Sequence, residues 1–252
     1  MMYLYRLYQL FIFLPLILVA TILTAVVTVT GCFLGNGHFW GYYPGKLWSQ
    51  LTIRLLFLPV KVEGCENLVK GQSYVFVANH QGMFDIFLIY GFLNRNFKWM
   101  MKKSLRKVPF VGAASQAAHH IFVDRSGASA IKRTYDEARK ILDEGMSLVV
   151  FPEGARTFTG HMGFFRRGAF ALADELGLPV CPLTINGSFQ VMPRMRDYRW
   201  VEWHPLSLTI HKPIAPIGQG RENIDYLKNE SYRVVMGGLV KNHQGYVENP
   251  DQ

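Results

Sequence analysis

Residues 10–30 read LFIFLPLILVATILTAVVTVT, a run without one charged side chain. At about 1.5 Å per residue, a helix of that length measures roughly 31 Å, close to the hydrocarbon thickness of a bilayer. Such a segment has to be buried in a core or lie in lipid, and its length favours lipid. A secretory signal is the poorer reading, because its apolar part is usually about 7–15 residues long and no small-x-small cleavage site closes this run. Pro15 predicts a kink or a break near the start of the helix. Spanning and re-entrant placements both stay open.

Residues 31–45 are rich in glycine and aromatics (Phe39, Trp40, Tyr42, Tyr43), the composition of a headgroup interface. From residue 46 to 58, Leu47, Leu51, Leu55 and Leu58 recur near one face, with Lys46, Gln50 and Arg54 beside it, until Pro59. That is the pattern of an amphipathic helix lying on a bilayer. Residues 1–60 hold Arg6, Lys46 and Arg54 and no acid, in a chain of net charge +9. A basic, aromatic-rich N-terminus points to an anionic lipid surface, and no nucleic-acid module is recognisable. Residues 1–59 are therefore expected to be membrane-anchoring helices and residues 60–252 one further domain.

Beyond Lys61 short β-rich runs alternate with helical ones. Residues 73–78, 98–101, 121–123, 147–151, 179–185 and 206–211 read as strands. Helices are expected over about 83–94, 105–118, 128–144, 166–176 and 224–243. The alternation predicts an α/β fold, a largely buried sheet flanked by helices. Gly145 and Gly177 each fit a helix end just before a strand. Cys32, Cys65 and Cys181 form no C-x-x-C pair, and His119, His120, His161, His204 and His211 show no H-E-x-x-H spacing. Neither a disulfide framework nor a metal site is expected.

Three of the strand runs end in polar groups, as sites on α/β sheets do. After residues 74–78 come Asn79 and His80, with Asp85 five positions on. Positions i and i+5 share no helix face, so the two meet only if His80 sits in the turn before a helix and Asp85 in its first turns. The carboxylate then takes one ring nitrogen and leaves the other as a base. Alone, this spacing favours a capping aspartate beside a structural histidine. Its company shifts the balance: Asp124-Arg125 follows one strand, and Pro152-Glu153-Gly154-Ala155-Arg156 follows another.

Taken together, these blocks resemble the glycerolipid acyltransferase family, most closely the 1-acyl-glycerol-3-phosphate (lysophosphatidate) acyltransferases of bacterial membranes. Asn79-His80-Gln81-Gly82-Met83-Phe84-Asp85 is similar to the family's N-H-x4-D block. Residues 121–125, Phe151-Pro152-Glu153-Gly154-Ala155-Arg156 and Val180-Cys181-Pro182-Leu183 are similar to the second, third and fourth blocks, in order. Lys102-Lys103-Ser104-Leu105 and Phe165-Arg166-Arg167-Gly168-Ala169 fit the pattern between and after them. The likeness covers roughly residues 60–215, with two departures: Ala155 stands where threonine is usual, and His119 where glycine is common.

The resemblance implies a mixed α/β acyltransferase fold and a membrane enzyme. In that enzyme His80, oriented by Asp85, takes the proton of a lysolipid hydroxyl while its oxygen attacks an acyl thioester. Arg156, Lys103 and Arg125, and after them Lys102, are expected to meet the acceptor's phosphate. Glu153 and Gly154 complete the substrate site, Glu153 by orienting Arg156 or the hydroxyl. No cofactor is implied; acyl-CoA or an acyl-carrier-protein thioester serves as co-substrate, and lysophosphatidate is the expected lipid partner. The expected place is the cytoplasmic face of the inner membrane. A lyso-aminolipid acceptor is the alternative, and a non-catalytic lipid-binding protein a more distant one. The basic stretch 95–107, six cations and no acid, reads as a carrier-protein or lipid-headgroup surface or a plain solvated face.

Overall fold

Apolar strand runs make the middle of the molecule. The computed structural model describes residues 2–124, 126–143, 145–194 and 200–248. Among these, seven strands form one mixed sheet: β1 (Val60–Glu63), β2 (Val75–Ala78), β3 (Phe97–Lys102), β4 (Ile121–Val123), β5 (Ser147–Val150), β6 (Val180–Asn186) and β7 (Leu206–Ile210). Their spatial order is β1-β7-β6-β2-β5-β3-β4. Strands β6, β2, β5, β3 and β4 run parallel, whereas β7 is antiparallel to β6 and carries β1 alongside it. Pro182 is tolerated inside β6 because it sits where the ladder to β7 ends, its carbonyl taking the N–H of His211 at 3.0 Å.

Successive side chains of a strand point to opposite faces, and both faces of β2 are covered. Phe76 and Ala78 pack with Leu88, Ile53 and Leu183 on one side. Val75 and Val77 pack with Phe170, Leu172 and Leu227 on the other. The first layer holds helices α2 (Tyr43–Leu55) and α3 (Phe84–Phe92); the second holds α5 (Ala128–Asp143), α6 (Gly168–Glu175) and α7 (Arg221–Gly238). A shorter helix, α4 (Val111–Ala117), precedes β4.

The apolar N-terminus is helical from Met2–Leu34 (α1), well beyond the uncharged run. Pro15 does not break it. A π-turn at Gln9–Phe13 ends two residues before the proline and absorbs its missing N–H. Only 6 % of the most apolar stretch is buried, so α1 is not a core helix but a face offered to a non-aqueous neighbour. Its first turns are tied to the rest of the protein. Tyr5 and Tyr8 hydroxyls donate to the Leu56 and Leu55 carbonyls, and Gln9 bonds both backbone groups of Val201. The leucine stripe expected over 46–58 faces outward only in part: Leu47 and Leu51 of α2 are exposed, Leu55 is half-buried, and Leu58, beyond the helix end, is buried in the core.

Some expected elements differ. β1 was not foreseen, being a four-residue edge strand with alternate residues exposed. The helix expected over 105–118 is split into a 3-10 turn at Lys103–Lys107 and α4. Pro109 holds Val108 extended at ψ 123°, and Phe110 takes φ +61°. The last helix ends at Gly238, after two poor helix formers, rather than at 243. Gly145 and Gly177 end their helices at φ +80° and +61°, as expected.

Candidate active site

The carboxyl ends of β2 and β5 lie side by side, and their loops build the site. Asn79 fixes the first loop. Its side-chain oxygen accepts the N–H of Ile185 at 2.8 Å and its nitrogen donates to the Ile185 carbonyl at 2.9 Å, so the side chain extends the sheet by one rung. The next residues turn toward α3, which places Asp85 in that helix's first turn, fully buried. One oxygen of Asp85, Oδ2, accepts three donors: His80 Nδ1 at 2.7 Å, Gln81 N at 2.7 Å and Gly82 N at 2.9 Å. Because the carboxylate accepts, the ring carries its proton on Nδ1 and leaves Nε2 bare. Nε2 has no hydrogen-bond partner among the described residues, and the side chain remains 14 % exposed. The imidazole lies flat on Phe151, ring centroids 3.9 Å apart and planes 9° apart, and Phe151 rests in turn on Trp99.

The second loop grips the first by its main chain. Glu153 is buried, its Oε1 accepting His80 N at 2.6 Å and its Oε2 accepting Gly163 N at 2.7 Å. Burial pushes the Glu153 carboxyl up to about 8, against the pull of those two N–H groups and with the push of the Asp85 charge. Thr157 N completes the grip by donating to the His80 carbonyl at 3.0 Å. Gly154 takes φ +81° at the end of the Pro152-Glu153 turn, a conformation other residues adopt at a steric cost. Glu153 thus has both oxygens on backbone donors, a task different from the expected orienting of Arg156.

Arg156 is half-buried, and its guanidinium makes no hydrogen bond or ion pair among the described residues. Burial pushes it below the ordinary arginine value; the Asp85 charge pulls it back, and the Arg194 charge adds to the push. Arg194 itself donates to the Arg156 carbonyl at 3.1 Å and lies 4.3 Å over the Phe158 ring. The two arginines therefore lie together, each charge acting on the other. Lys103 stands apart at the end of β3, exposed and paired with Asp124 at 2.6 Å, which brings Asp124 down to about 2. Lys102 closes β3, and Arg125 lies outside the described residues. His119, at the position where glycine is common, keeps a glycine-like φ of +55°.

Sequence reasoning places Phe151 in the third block but gives no sign that it is the floor beneath His80. Arg194 carried no signal at all, lying in a stretch without motif.

A buried acid, an oriented imidazole and a guanidinium without a partner among the described residues thus stand at the carboxyl end of a mostly parallel sheet. The chain belongs to the acyltransferase family, whose model matches residues 59–186. It is 30 % identical to the chloroplastic 1-acyl-sn-glycerol-3-phosphate acyltransferase of Arabidopsis thaliana, over 69 % of this chain and 48 % of that protein. It is 31 % identical to the 1-acyl-sn-glycerol-3-phosphate acyltransferase of Saccharomyces cerevisiae, over 67 % of this chain and 57 % of that one. The crystal structure of the 1-acyl-sn-glycerophosphate acyltransferase PlsC from Thermotoga maritima is similar with a TM-score of 0.72 and 28 % identity, covering 89 % of this chain and 93 % of that one. The chain spans about half the length of the first curated relatives it matches.

Proposed function

We propose that the protein transfers an acyl chain from an acyl thioester to the sn-2 hydroxyl of 1-acyl-glycerol-3-phosphate, giving phosphatidate. The observation that carries this reading is the His80 imidazole, held through Nδ1 by buried Asp85 and bare at Nε2 among the described residues, with half-buried Arg156 near enough to feel the Asp85 charge. Nε2 takes the hydroxyl proton as that oxygen bonds to the thioester carbonyl carbon. Collapse of the tetrahedral adduct breaks the carbon–sulfur bond, and the proton passes to the departing thiolate. The alcohol is its own nucleophile, so no acyl-enzyme and no cofactor enter. Arg156 meets the acceptor phosphate, bidentate as guanidinium groups permit; Lys103 and Arg125 are the further phosphate contacts that the sequence resemblance implies.

The donor is acyl-CoA or acyl carrier protein. The exposed face of α1 and the outward leucines of α2 support a site at a bilayer surface, with residues 1–59 as the anchor and the remainder on the cytoplasmic side of the inner membrane. There a lysolipid reaches His80 without drawing its chain through water, which costs about 0.8 kcal/mol per methylene.

The test offers the purified protein lysophosphatidate and lyso-aminolipids with labelled acyl-CoA or acyl carrier protein. Label is expected in phosphatidate. A strong aminolipid product without phosphatidate overturns the acceptor, and no labelled lipid at all overturns the reaction.

A further inference from the structure

Gln81, next to the candidate base, is fully buried. Its side-chain nitrogen lies 2.8 Å from the Gly160 carbonyl and 3.2 Å from Nδ1 of His243, far along the chain in the short turn Lys241–His243. A carbonyl only accepts, so the amide presents its nitrogen here, and Nδ1 of His243 must accept the second N–H. His243 then carries its proton on Nε2. Burial, with the His161 ring nearby, pushes His243 below the ordinary histidine value, which keeps the ring neutral as that bond demands. The contact is tightly built. Gly160 takes φ +83°, and a Cβ there would stand 2.8 Å from His243 Nε2, so the imidazole packs on a bare α-carbon. Phe189 closes another side of the ring at 5.5 Å. The Gln81 oxygen is buried without a partner among the described residues, so the two bonds of the nitrogen alone fix this side chain.

Two bond paths run from this contact to His80. Gln81 donates its own backbone N–H to Asp85 Oδ2 at 2.7 Å, and that oxygen holds His80 Nδ1. The loop of Gly160 continues to Gly163, whose N–H holds Glu153, and Glu153 holds the N–H of His80. We propose that His243 is a positioning residue of the active site, a C-terminal strap that locks the Gln81 amide and so keeps the 79–85 turn, and His80 with it, in line with the reacting hydroxyl. This rests on the acyl-transfer reading of His80 given above.

The test compares wild type, His243→Ala and His243→Asn, whose side-chain oxygen can take the place of Nδ1. In His243→Ala, kcat falls about tenfold or more, as small misplacements of a catalytic group do, while KM for both substrates stays within about twofold. His243→Asn recovers most of the loss. In protein carrying ¹⁵N-histidine, the low-field Nδ1–H signal of His80, identified by its absence from His80→Ala, moves in His243→Ala and returns in His243→Asn. A folded His243→Ala with unchanged kcat and an unmoved signal overturns the proposal, and so does a His243→Asn as slow as His243→Ala. If His243→Ala does not fold, Gln81→Met removes the same bond from the other side, and an unchanged kcat there is equally fatal. Should the wild type acylate no lysophosphatidate, the acyl-transfer reading fails on its own, and the His80 signal still decides whether His243 holds the turn.

Discussion

The backbone N–H of His80 donates to Oε1 of Glu153 at 2.6 Å, so the acid that follows β5 holds the histidine that follows β2 by its main chain. Thr157, from the same loop, takes the His80 carbonyl. Both backbone groups of the candidate base are thus partnered from residues 153–157, and its ring is held by Asp85 and Phe151. Orientation from three directions is what a base needs if the proton it accepts is to lie on its lone pair. In this chain the acidic residue of the third block belongs to the base as much as to the substrate.

His80→Ala and Asp85→Ala are expected to part company in stability. Loss of the base lowers the rate about 10²–10⁴-fold, and His80→Ala leaves the melting temperature near wild type because it removes one side-chain bond from a partly exposed site. Asp85→Ala is as slow and also melts earlier. It strands three donors around a fully buried position, and each stranded buried donor costs about 1–3 kcal/mol. Rates and melting curves of both variants check this. A His80→Ala protein keeping more than about a tenth of the wild-type rate would remove His80 as the base.

Glu153 gives the fold a pH dependence with a definite sign. Its folded value of about 8 lies above the ordinary 4.5. Between those values the folded chain holds a proton that the unfolded chain has released, so stability falls as pH rises through this window and is unaffected below it. The slope from one such group is at most about 1.4 kcal/mol per pH unit, a few degrees of melting temperature in a chain of this size. Melting wild type and Glu153→Gln between about pH 5 and pH 8 isolates the group. The wild type should lose stability faster across the range, and equal slopes would deny Glu153 this part.

Phe151 is the floor beneath the imidazole, stacked at 3.9 Å with planes nearly parallel. Phe151→Leu keeps apolar volume but not the flat surface. A kcat about tenfold lower is expected, with both KM values little changed, since orientation rather than binding is lost. Steady-state kinetics decide it, and a rise in KM at constant kcat would recast Phe151 as a substrate contact.

Much of this site is legible in the sequence because it is local. His80 and Asp85 fall within one strand-end turn, and Glu153, Gly154 and Arg156 within another, where spacing alone limits what can meet. What holds the turns is not local: Gln81 finds Gly160 and His243 at separations of 79 and 162 residues, and no periodicity encodes such a meeting. Arg194 reaches the Arg156 carbonyl from an unpatterned stretch, again unforeseeable from spacing. β1 escapes because Lys61 and Glu63 occupy a four-residue edge with only one neighbouring strand, where polar side chains carry little penalty. Glu153 was expected to orient Arg156 or the hydroxyl; its two oxygens meet His80 N and Gly163 N, partners that sequence position does not reveal.

Helix α1 is expected to lie within one leaflet rather than cross. Its first turns are bonded to residues 55, 56 and 201, and its other half packs on α4, with His38 just beyond accepting from Asn96 at 2.9 Å. Both ends therefore touch the one globular domain. In a background without the native cysteines, Tyr3→Cys and Leu34→Cys should react with an impermeant maleimide from the same side of sealed vesicles. Labelling from opposite sides would mean that the helix crosses and the contacts at one end give way.

Arg156 is the sharpest test of the phosphate end. Its guanidinium is half-buried and unpaired among the described residues, held charged by Asp85 against burial and against Arg194. A buried cation without a partner is costly unless something anionic completes it. A phosphomonoester would complete it and would sit near a hydroxyl within reach of His80. Removing a charged hydrogen bond costs about 1.5–3 kcal/mol, so Arg156→Ala should raise the lysophosphatidate KM about 10- to 100-fold and leave the thioester KM within about twofold. Arg156→Lys should recover only part, since an ammonium cannot bind two phosphate oxygens side by side. Arg194→Ala should move the same constant less, because Arg194 braces the Arg156 carbonyl and lends charge from one step away. Equal rises in both KM values for Arg156→Ala would place the arginine on the donor or on the fold, and the unpaired guanidinium beside Asp85 would then need another anion to explain it.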